Sequence, residues 1–517
     1  MKFRSILPHV LILSAFSFYI NYYYGFQGVN PVDNFTNYNS GYNFLLNKYP
    51  FKDYWTATGP LLGFIQSFFF KVFGINWTAY VLHASLFNSI LAISLFLFLL
   101  KFGVNRYISL AYSIFFSVIF YPPVGTPFVD HHSLFFTYIS FFLIIFALNK
   151  NKDYFFLFLP MIFLLGFFSK QTPIAYFFII ISPVVIYNFK KINILNFIII
   201  GSLISLLLFY AYLIITDTKI IDVYYQYYLT TSEVGSYRLK NSSFSFYNIF
   251  HRYRFIHASL ILLLYFVIKS KSFNKTFKIS KLQFIYLIVS LNFTLIFHQL
   301  LTMNQGFIFS IIFLNLGLCH KFIKYNDKKI SKNIFLFSLI IFSTSICLKY
   351  HKKYNEPRRF NDLAYVDQSQ AVNAGEYFTS LKNLKWFTNY NNNSREEIKN
   401  LKETFDVLNN EKKKYSLITD YQFLPIELKT YGNFSIKWYH SDVSFPNMNF
   451  PLSKTVELEF SNFFIEKLKN EKIEKIYFVP VDRGRINLVS KIIQKKCKIN
   501  KLEFTENLYA VMEINCI

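Results

Sequence analysis

The sequence predicts a polytopic α-helical membrane protein with about 11 transmembrane helices, followed by a C-terminal α/β domain outside the membrane. Three observations support this fold class. Of the 517 residues, 53% are hydrophobic and only 16% are charged, which excludes an ordinary soluble enzyme. Apolar runs long enough to cross roughly 30 Å of hydrocarbon recur between residues 6 and 348. The composition then changes abruptly to one rich in Asn, Lys and Glu.

Short polar loops separate the apolar runs and define eleven candidate spans. These lie at residues 6–24, 77–100, 106–121, 133–149, 154–169, 173–189, 192–215, 255–268, 282–300, 306–320 and 333–348. The further apolar stretch 61–73 follows Gly59-Pro60 and is too short for a comfortable span. We therefore expect it to form an interfacial or re-entrant helix.

The basic residues of the membrane domain predict its orientation. Residues 1–348 contain 27 Lys and Arg but only eight carboxylates. With the N-terminus in the cytoplasm, 18 of these basic residues fall in short inner segments and nine in the longer outer segments. This bias predicts a multi-pass protein of the bacterial inner membrane with its C-terminal domain outside. It also accounts for the basic excess, so we expect no nucleic-acid partner.

The predicted domains are residues 1–348 in the membrane and residues 349–517 outside it. Ser394 opens a capping-box pattern for a helix to about residue 413, and a strand follows at 415–419. Asp420 ends that strand, either in a ligand-facing loop or as a helix cap. Cys497 and Cys516 either form a disulfide in an extracytoplasmic tail or remain two free thiols. Further periodic segments are a helix at 460–472, a strand at 475–481, a helix at 486–495 and a strand at 508–514.

Three carboxylates on predicted outer loops are close to apolar boundaries, where ionised groups are costly and tend to be functional. Asp33 follows the first span closely, Asp53 precedes the Gly59-Pro60 turn, and Asp130 precedes the fourth span. The alternatives are a solvated loop aspartate or helix cap for Asp33, and simple N-capping of the fourth span for Asp130.

These outer-loop residues, taken in order, resemble the GT-C superfamily of polyprenyl-phosphate-sugar glycosyltransferases. The likeness is closest to the bacterial branch related to protein O-mannosyltransferases and lipid A aminoarabinose transferases. The residues that carry it are Asp33, Gly41, Tyr49-Pro50-Phe51-Lys52-Asp53-Tyr54, Gly59-Pro60-Leu61, Phe73-Gly74, Asp130 and Ser169-Lys170-Gln171-Thr172-Pro173. Two departures are Asn34, where the family often has a second acidic residue, and His131-His132 after Asp130.

The resemblance implies an inverting transfer of one sugar from a polyprenyl-phosphate donor to a lipid, glycan or protein acceptor on the outer face. Asp33 would be the general base or would orient the acceptor, and Asp130 would bind donor or acceptor. Lys170 would hold the leaving phosphate, unless it only snorkels to a lipid headgroup. Further substrate-binding candidates are Asp53, His131 and His298, and weaker ones are Arg238, Arg252 and Arg254.

Other chemistries compete with this interpretation. Asp130-His131-His132 contains metal-ligand types, but adjacent helical residues point in different directions, so no metal site is predicted. No cofactor is indicated with certainty, and the need for a divalent cation stays open. An O-antigen-type polymerase or ligase would use arginines in a large late outer loop, whereas this loop is short. A lipid-linked glycan transporter would carry polar residues within several spans.

Overall fold

The computed structural model describes residues 6–242, 244–271, 273–303, 306–323, 329–439, 452–505 and 508–516. The chain forms two compact units that interleave along the sequence. The helical unit contains residues 1–25, 81–209 and 242–364, and the mixed unit contains residues 26–80, 210–241 and 365–517. The predicted boundary at 348/349 follows the change in composition. The mixed unit differs from it because it also contains two earlier segments, 26–80 and 210–241.

Helices dominate the chain up to residue 350. In chain order they are α1 (Leu7–Gly25), α2 (Thr36–Leu45), α3 (Leu61–Phe73), α4 (Trp77–Lys101), α5 (Arg106–Phe120), α6 (Val129–Lys150), α7 (Phe158–Ser169), α8 (Ile174–Tyr187), α9 (Ile192–Thr216), α10 (Ile220–Val223), α11 (Thr230–Asn241), α12 (Arg254–Lys269), α13 (Phe273–Thr276), α14 (Lys281–Thr302), α15 (Ile311–Ile323) and α16 (Lys329–Tyr350).

Among the described residues, five helices are long and apolar enough to cross a membrane: α4, α6, α9, α14 and a helical stretch Asn333–Asn361 that continues α16. Shorter apolar helices include α3, α5 and α15. Several apolar helices are thus compatible with a multi-pass membrane protein, and the count of eleven spans remains a prediction. Helix α9 is the most exposed of these helices, because only 6% of its apolar central stretch is buried within the protein. Such an apolar surface is suited to contact with lipid.

Polar side chains join the helices of the helical unit. Asn88 of α4 donates to the carbonyl oxygens of Ser17 in α1 (2.8 Å) and Ser117 in α5 (3.1 Å). Asn315 of α15 donates to Asn292 of α14 (2.9 Å) and to the Ser259 hydroxyl of α12 (3.1 Å). Such bonds help hold apolar helices together, since apolar contact between helices gains little over contact with lipid.

The C-terminal part of the mixed unit contains the predicted alternation of helices and strands. Its elements are β1 (Val372–Asn373), β2 (Lys385–Trp386), α17 (Ser394–Asn410), β3 (Tyr415–Thr419), α18 (Leu424–Glu427), α19 (Lys454–Asn470), β4 (Lys475–Val479), α20 (Arg483–Ile493), β5 (Lys498–Thr505) and β6 (Tyr509–Asn515). Four strands form a sheet in the order β3-β4-β6-β5. Strands β3 and β4 are parallel, and the other two pairings are antiparallel.

For this part, one local prediction was wrong and one strand was missed. The N-cap of α17 is Asn393, whose side chain accepts from the Glu396 amide (3.2 Å), and Ser394 is the buried first residue of the helix. Strand β5 was not predicted, because it lies at a sheet edge, is largely exposed and has only a short apolar alternation at Leu502 and Phe504. A disulfide joins Cys497 and Cys516, which flank the paired strands β5 and β6.

Candidate functional site

In the helical unit, two side chains that are distant in sequence contact the Asp130 carboxylate. The Lys170 ammonium lies 2.7 Å from Oδ1 and 2.8 Å from Oδ2, and His298 Nε2 lies 2.9 Å from Oδ1. The side chains of Asp130 and His298 are 1% exposed, whereas that of Lys170 is 19% exposed. We call these three residues the Asp130 cluster. Its buried carboxylate is thus matched by a cation, as burial of an ionised group requires.

The start of α6 and the end of α7 position this cluster. Phe128 is the N-cap of α6, so Asp130 lies inside the first turn and is not the helix cap. Lys170 directly follows α7 in extended conformation, and Ser133 Oγ donates to its carbonyl oxygen (3.0 Å). The ammonium has three N–H donors, of which two are directed at Asp130. Within the described ranges, no acceptor engages the third.

The two histidines after Asp130 have separate surroundings. His131 is fully buried against the rings of Tyr121, Phe307 and Phe360. His132 Nε2 lies 2.9 Å from His83 Nε2, and its Nδ1 lies 2.5 Å from the Tyr121 hydroxyl. Asp130, His131 and His132 therefore do not converge on one point. Within the described ranges, no group of three His, Cys, Asp or Glu side chains could hold a metal ion.

In the mixed unit, Asp33 lies in a short turn of π-helix, Pro31–Phe35, that leads into α2. Its carbonyl oxygen accepts from Thr36 Oγ1 (3.1 Å) and Asn37 Nδ2 (3.0 Å), which fixes the turn. The residue is partly exposed, whereas its neighbours Asn34 and Thr36 are buried. This geometry leaves a half-buried carboxylate on an ordered backbone.

Asp33 has an electrostatic partner that sequence reasoning missed. Lys437 is 6% exposed, and its ammonium donates to Thr58 Oγ1 (3.1 Å). Burial lowers the pKa of Lys437 to about 7, and the negative charge of Asp33 opposes that shift. The one sequence signal is a lysine in the otherwise uncharged, partly aromatic run Ser435-Ile436-Lys437-Trp438-Tyr439.

A second group of charged residues lines an open cavity of about 480 Å³ in the mixed unit. The Tyr390 hydroxyl and Arg485 Nη2 donate to Oδ2 of Asp420, over 2.8 Å and 2.7 Å. Asp482 caps α20 by accepting from the Gly484 amide (2.8 Å) and the Arg485 amide (3.1 Å). Asp420 is therefore a buried, ion-paired residue rather than the helix cap considered from the sequence.

Tyr390 connects this cavity electrostatically with Asp33. Burial raises the pKa of Tyr390, and the charges of Asp420 and then Asp33 raise it further. The hydroxyl therefore stays protonated at neutral pH and can act as a donor. Asp33, Lys437 and the cavity thus all lie within the mixed unit.

Asp53 is held by its own contacts. Its Oδ2 accepts from the Tyr49 amide (2.8 Å), and its Oδ1 lies 3.2 Å from the Lys467 ammonium of α19. The residue is buried, so these contacts give it a role in joining the loop to α19. Its predicted contact with substrate stays a prediction. Of the weaker candidates, Arg252 contacts Met303 and Arg254 contacts His251.

Comparisons with known proteins give little further information. No protein-family model matches the chain, and no curated protein matches it. Among solved structures, the Archaeoglobus fulgidus oligosaccharyltransferase in complex with zinc and sulfate is similar, with a TM-score of 0.43 and 11% sequence identity. The match covers 91% of this chain and 68% of that chain. A likeness at this TM-score does not establish a shared fold or a shared activity.

Proposed function

We propose that this protein is a membrane glycosyltransferase that moves one sugar from a polyprenyl-phosphate donor to an acceptor hydroxyl outside the bacterial inner membrane. The observation that carries the proposal is the partly exposed Asp33 on an ordered backbone, in the same unit as the buried Lys437 and an open polar cavity. A general base needs such a setting, where a carboxylate is ordered yet accessible. The resemblance of the outer-loop residues to the GT-C superfamily supplies the donor class.

The proposed reaction is a single displacement. The acceptor oxygen forms a bond to the anomeric carbon, and the bond between that carbon and the phosphate oxygen breaks. Asp33 takes the proton of the acceptor hydroxyl, and the polyprenyl phosphate leaves with the bonding electron pair. One displacement inverts the configuration at the anomeric carbon. The negative charge of Asp33 favours the protonated, cationic form of Lys437.

The Asp130 cluster has a separate proposed role in binding the donor phosphate. Its support is the third N–H of Lys170, which its two bonds to Asp130 leave available. Asp130 and His298 would then be positioning residues that fix the ammonium. A phosphate would gain a point-charge partner there without requiring Asp130 to leave the pair.

Transfer from a panel of radiolabelled polyprenyl-phosphate monosaccharides tests the proposal in membranes that express the chain. We expect Asp33→Asn to lower turnover by at least about 100-fold, because the base is lost while the size of the side chain is kept. Asp217→Asn in the same unit is the matched control, since its carboxylate is 89% exposed and turnover should be unchanged.

Two further readouts sharpen this test. NMR of the product should show the inverted anomeric configuration. Asp130→Asn should raise the apparent KM for the donor more than it lowers kcat, if the cluster acts in binding. Turnover equal in wild type and Asp33→Asn would remove Asp33 as the base. Donor translocation across proteoliposomes without any transfer would favour a transporter instead.

A further inference from the structure

The cavity lined by Asp420 and Arg485 lies at a distinctive place in the sheet. Strands β3 and β4 are parallel, with Thr419 paired with Val479, so Asp420 and Pro480 follow them at the same edge. Helix α20 begins there, directly after Asp482. Small molecules commonly bind outside the carboxyl ends of parallel strands. The volume of about 480 Å³ is also within the range of small-molecule sites.

We propose that this cavity, the β3–β4 cavity, binds a neutral carbohydrate. Two acidic residues, Asp420 and Asp482, face two basic residues, Arg483 and Arg485, around the opening. The formal charges therefore balance, so neither an anion nor a cation gains a net attraction. A polyhydroxylated neutral ligand can instead use both the carboxylate acceptors and the guanidinium donors.

The arrangement of these groups suits neighbouring hydroxyls. Both described bonds to Asp420 end on Oδ2, so among the described residues its Oδ1 keeps lone pairs for a hydroxyl donor. The Arg485 guanidinium is a rigid, planar set of donors, held in place by Asp420 and by Asp482 at 3.1 Å. In one cavity, Oδ1 of Asp420 can therefore accept from one hydroxyl while the guanidinium donates to a neighbouring one.

Tyr390 adds an aromatic surface to the same cavity. It is 37% exposed, and its hydroxyl is fixed on Asp420, so one part of the ring is ordered and accessible. Ordered aromatic rings bury the apolar C–H faces of ligands at little entropic cost. A sugar bound there would be the candidate acceptor of the proposed transfer. Its identification as the acceptor rests on the proposed transfer function, whereas its binding does not.

Saturation-transfer NMR on the full chain in nanodiscs tests the β3–β4 cavity directly. The probes are methyl glycosides of neutral hexoses, pentoses and N-acetylhexosamines, with inorganic phosphate as the anionic comparison. We expect at least one neutral glycoside to bind and phosphate not to compete. Tyr390→Leu and Arg485→Gln should each weaken binding about tenfold, because the ring or the paired donors are lost. Tyr390→Phe should weaken it less.

Matched controls separate binding from folding. Tyr365→Leu and Arg395→Gln remove the same side-chain types from exposed positions in the same unit, and binding should be unchanged. Thermal melting shows whether each variant is folded, and Tyr390→Phe keeps the test valid should Arg485→Gln fail to fold. The proposal is overturned if no neutral glycoside binds, if binding ignores both cavity variants, or if phosphate displaces the glycoside.

The Asp33→Asn variant distinguishes this inference from the proposed function. Glycoside binding retained together with loss of transfer supports both. If transfer proceeds normally but neither wild type nor the folded cavity variants bind a glycoside, the carbohydrate site alone is overturned. Glycoside binding that depends on Tyr390, with transfer insensitive to Asp33, keeps the carbohydrate site and removes the proposed base.

Discussion

At the scale of single residues, the buried Lys437 makes the sharpest prediction about pH. Its pKa is about 7 in the folded chain, lowered by burial from 10.5. Between these values the unfolded chain binds a proton that the folded chain does not. The free energy of unfolding therefore rises with pH over this window. Below pH 7 the folded chain bears the full cost of burying the charged Lys437 side chain. The Lys437 side chain thus costs stability at neutral pH, which favours a role other than holding the fold together.

Replacing Lys437 with methionine should remove this dependence. At pH 7 the free energy of unfolding of Lys437→Met should exceed that of wild type. This difference should be smaller by about 2 kcal/mol at pH 9, because wild type becomes more stable as the pH rises. Lys412→Met is the control, because that side chain is exposed and its difference from wild type should not change with pH. A difference that stays constant for Lys437→Met would show that Lys437 is charged throughout this range.

The residues of the two clusters show how far sequence reasoning reaches. The sequence indicates Asp130 as a carboxylate near an apolar boundary, and Lys170 and His298 as partners for the donor phosphate. That they form one cluster was not predictable, because no pattern in a single sequence reports contacts between segments this far apart. Lys437 was missed for the same reason, because Asp33, whose charge acts on it, lies about 400 residues earlier in the chain.

At the scale of elements, prediction succeeded where an apolar run ends sharply. The expected span 77–100 is the helix Trp77–Lys101, and the expected span 192–215 is Ile192–Thr216. Prediction failed at β5. This strand is largely exposed and is held in place by its hydrogen-bonded pairing with β6. Local sequence fixes an element when one of its faces is buried, whereas an exposed edge strand depends on its neighbour.

The disulfide beside β5 gives a test at this scale. Removing both thiols, as in Cys497→Ser with Cys516→Ser, should lower the free energy of unfolding by about 3 kcal/mol, since the crosslink spans 19 residues. Thermal melting of the double variant and of reduced wild type should agree. Under denaturing conditions without reductant, maleimide should label only the two free cysteines, Cys319 and Cys347. Labelling of all four would contradict the pairing.

At the scale of the whole molecule, the open question is which side of the membrane each part occupies. The basic residues predict an outside C-terminal domain, with 18 in short inner segments against nine in outer ones. The disulfide of the mixed unit independently favours an oxidising compartment. This orientation requires that α3 does not cross the membrane. A crossing by Leu61–Phe73 would move every later segment to the opposite side.

Alkaline phosphatase fusions decide this question, since the enzyme is active only outside the cytoplasm. A fusion after residue 517 should be active, and a fusion after Ser280, in the predicted inner loop before α14, should be inactive. With the N-terminus in the cytoplasm, the opposite pattern would mean that α3 crosses the membrane. Asp33 lies before α3, whereas β3 and β4 lie after it. The opposite pattern would therefore place Asp33 and the β3–β4 cavity on different sides of the membrane, which would contradict the compact mixed unit as well as the proposed function.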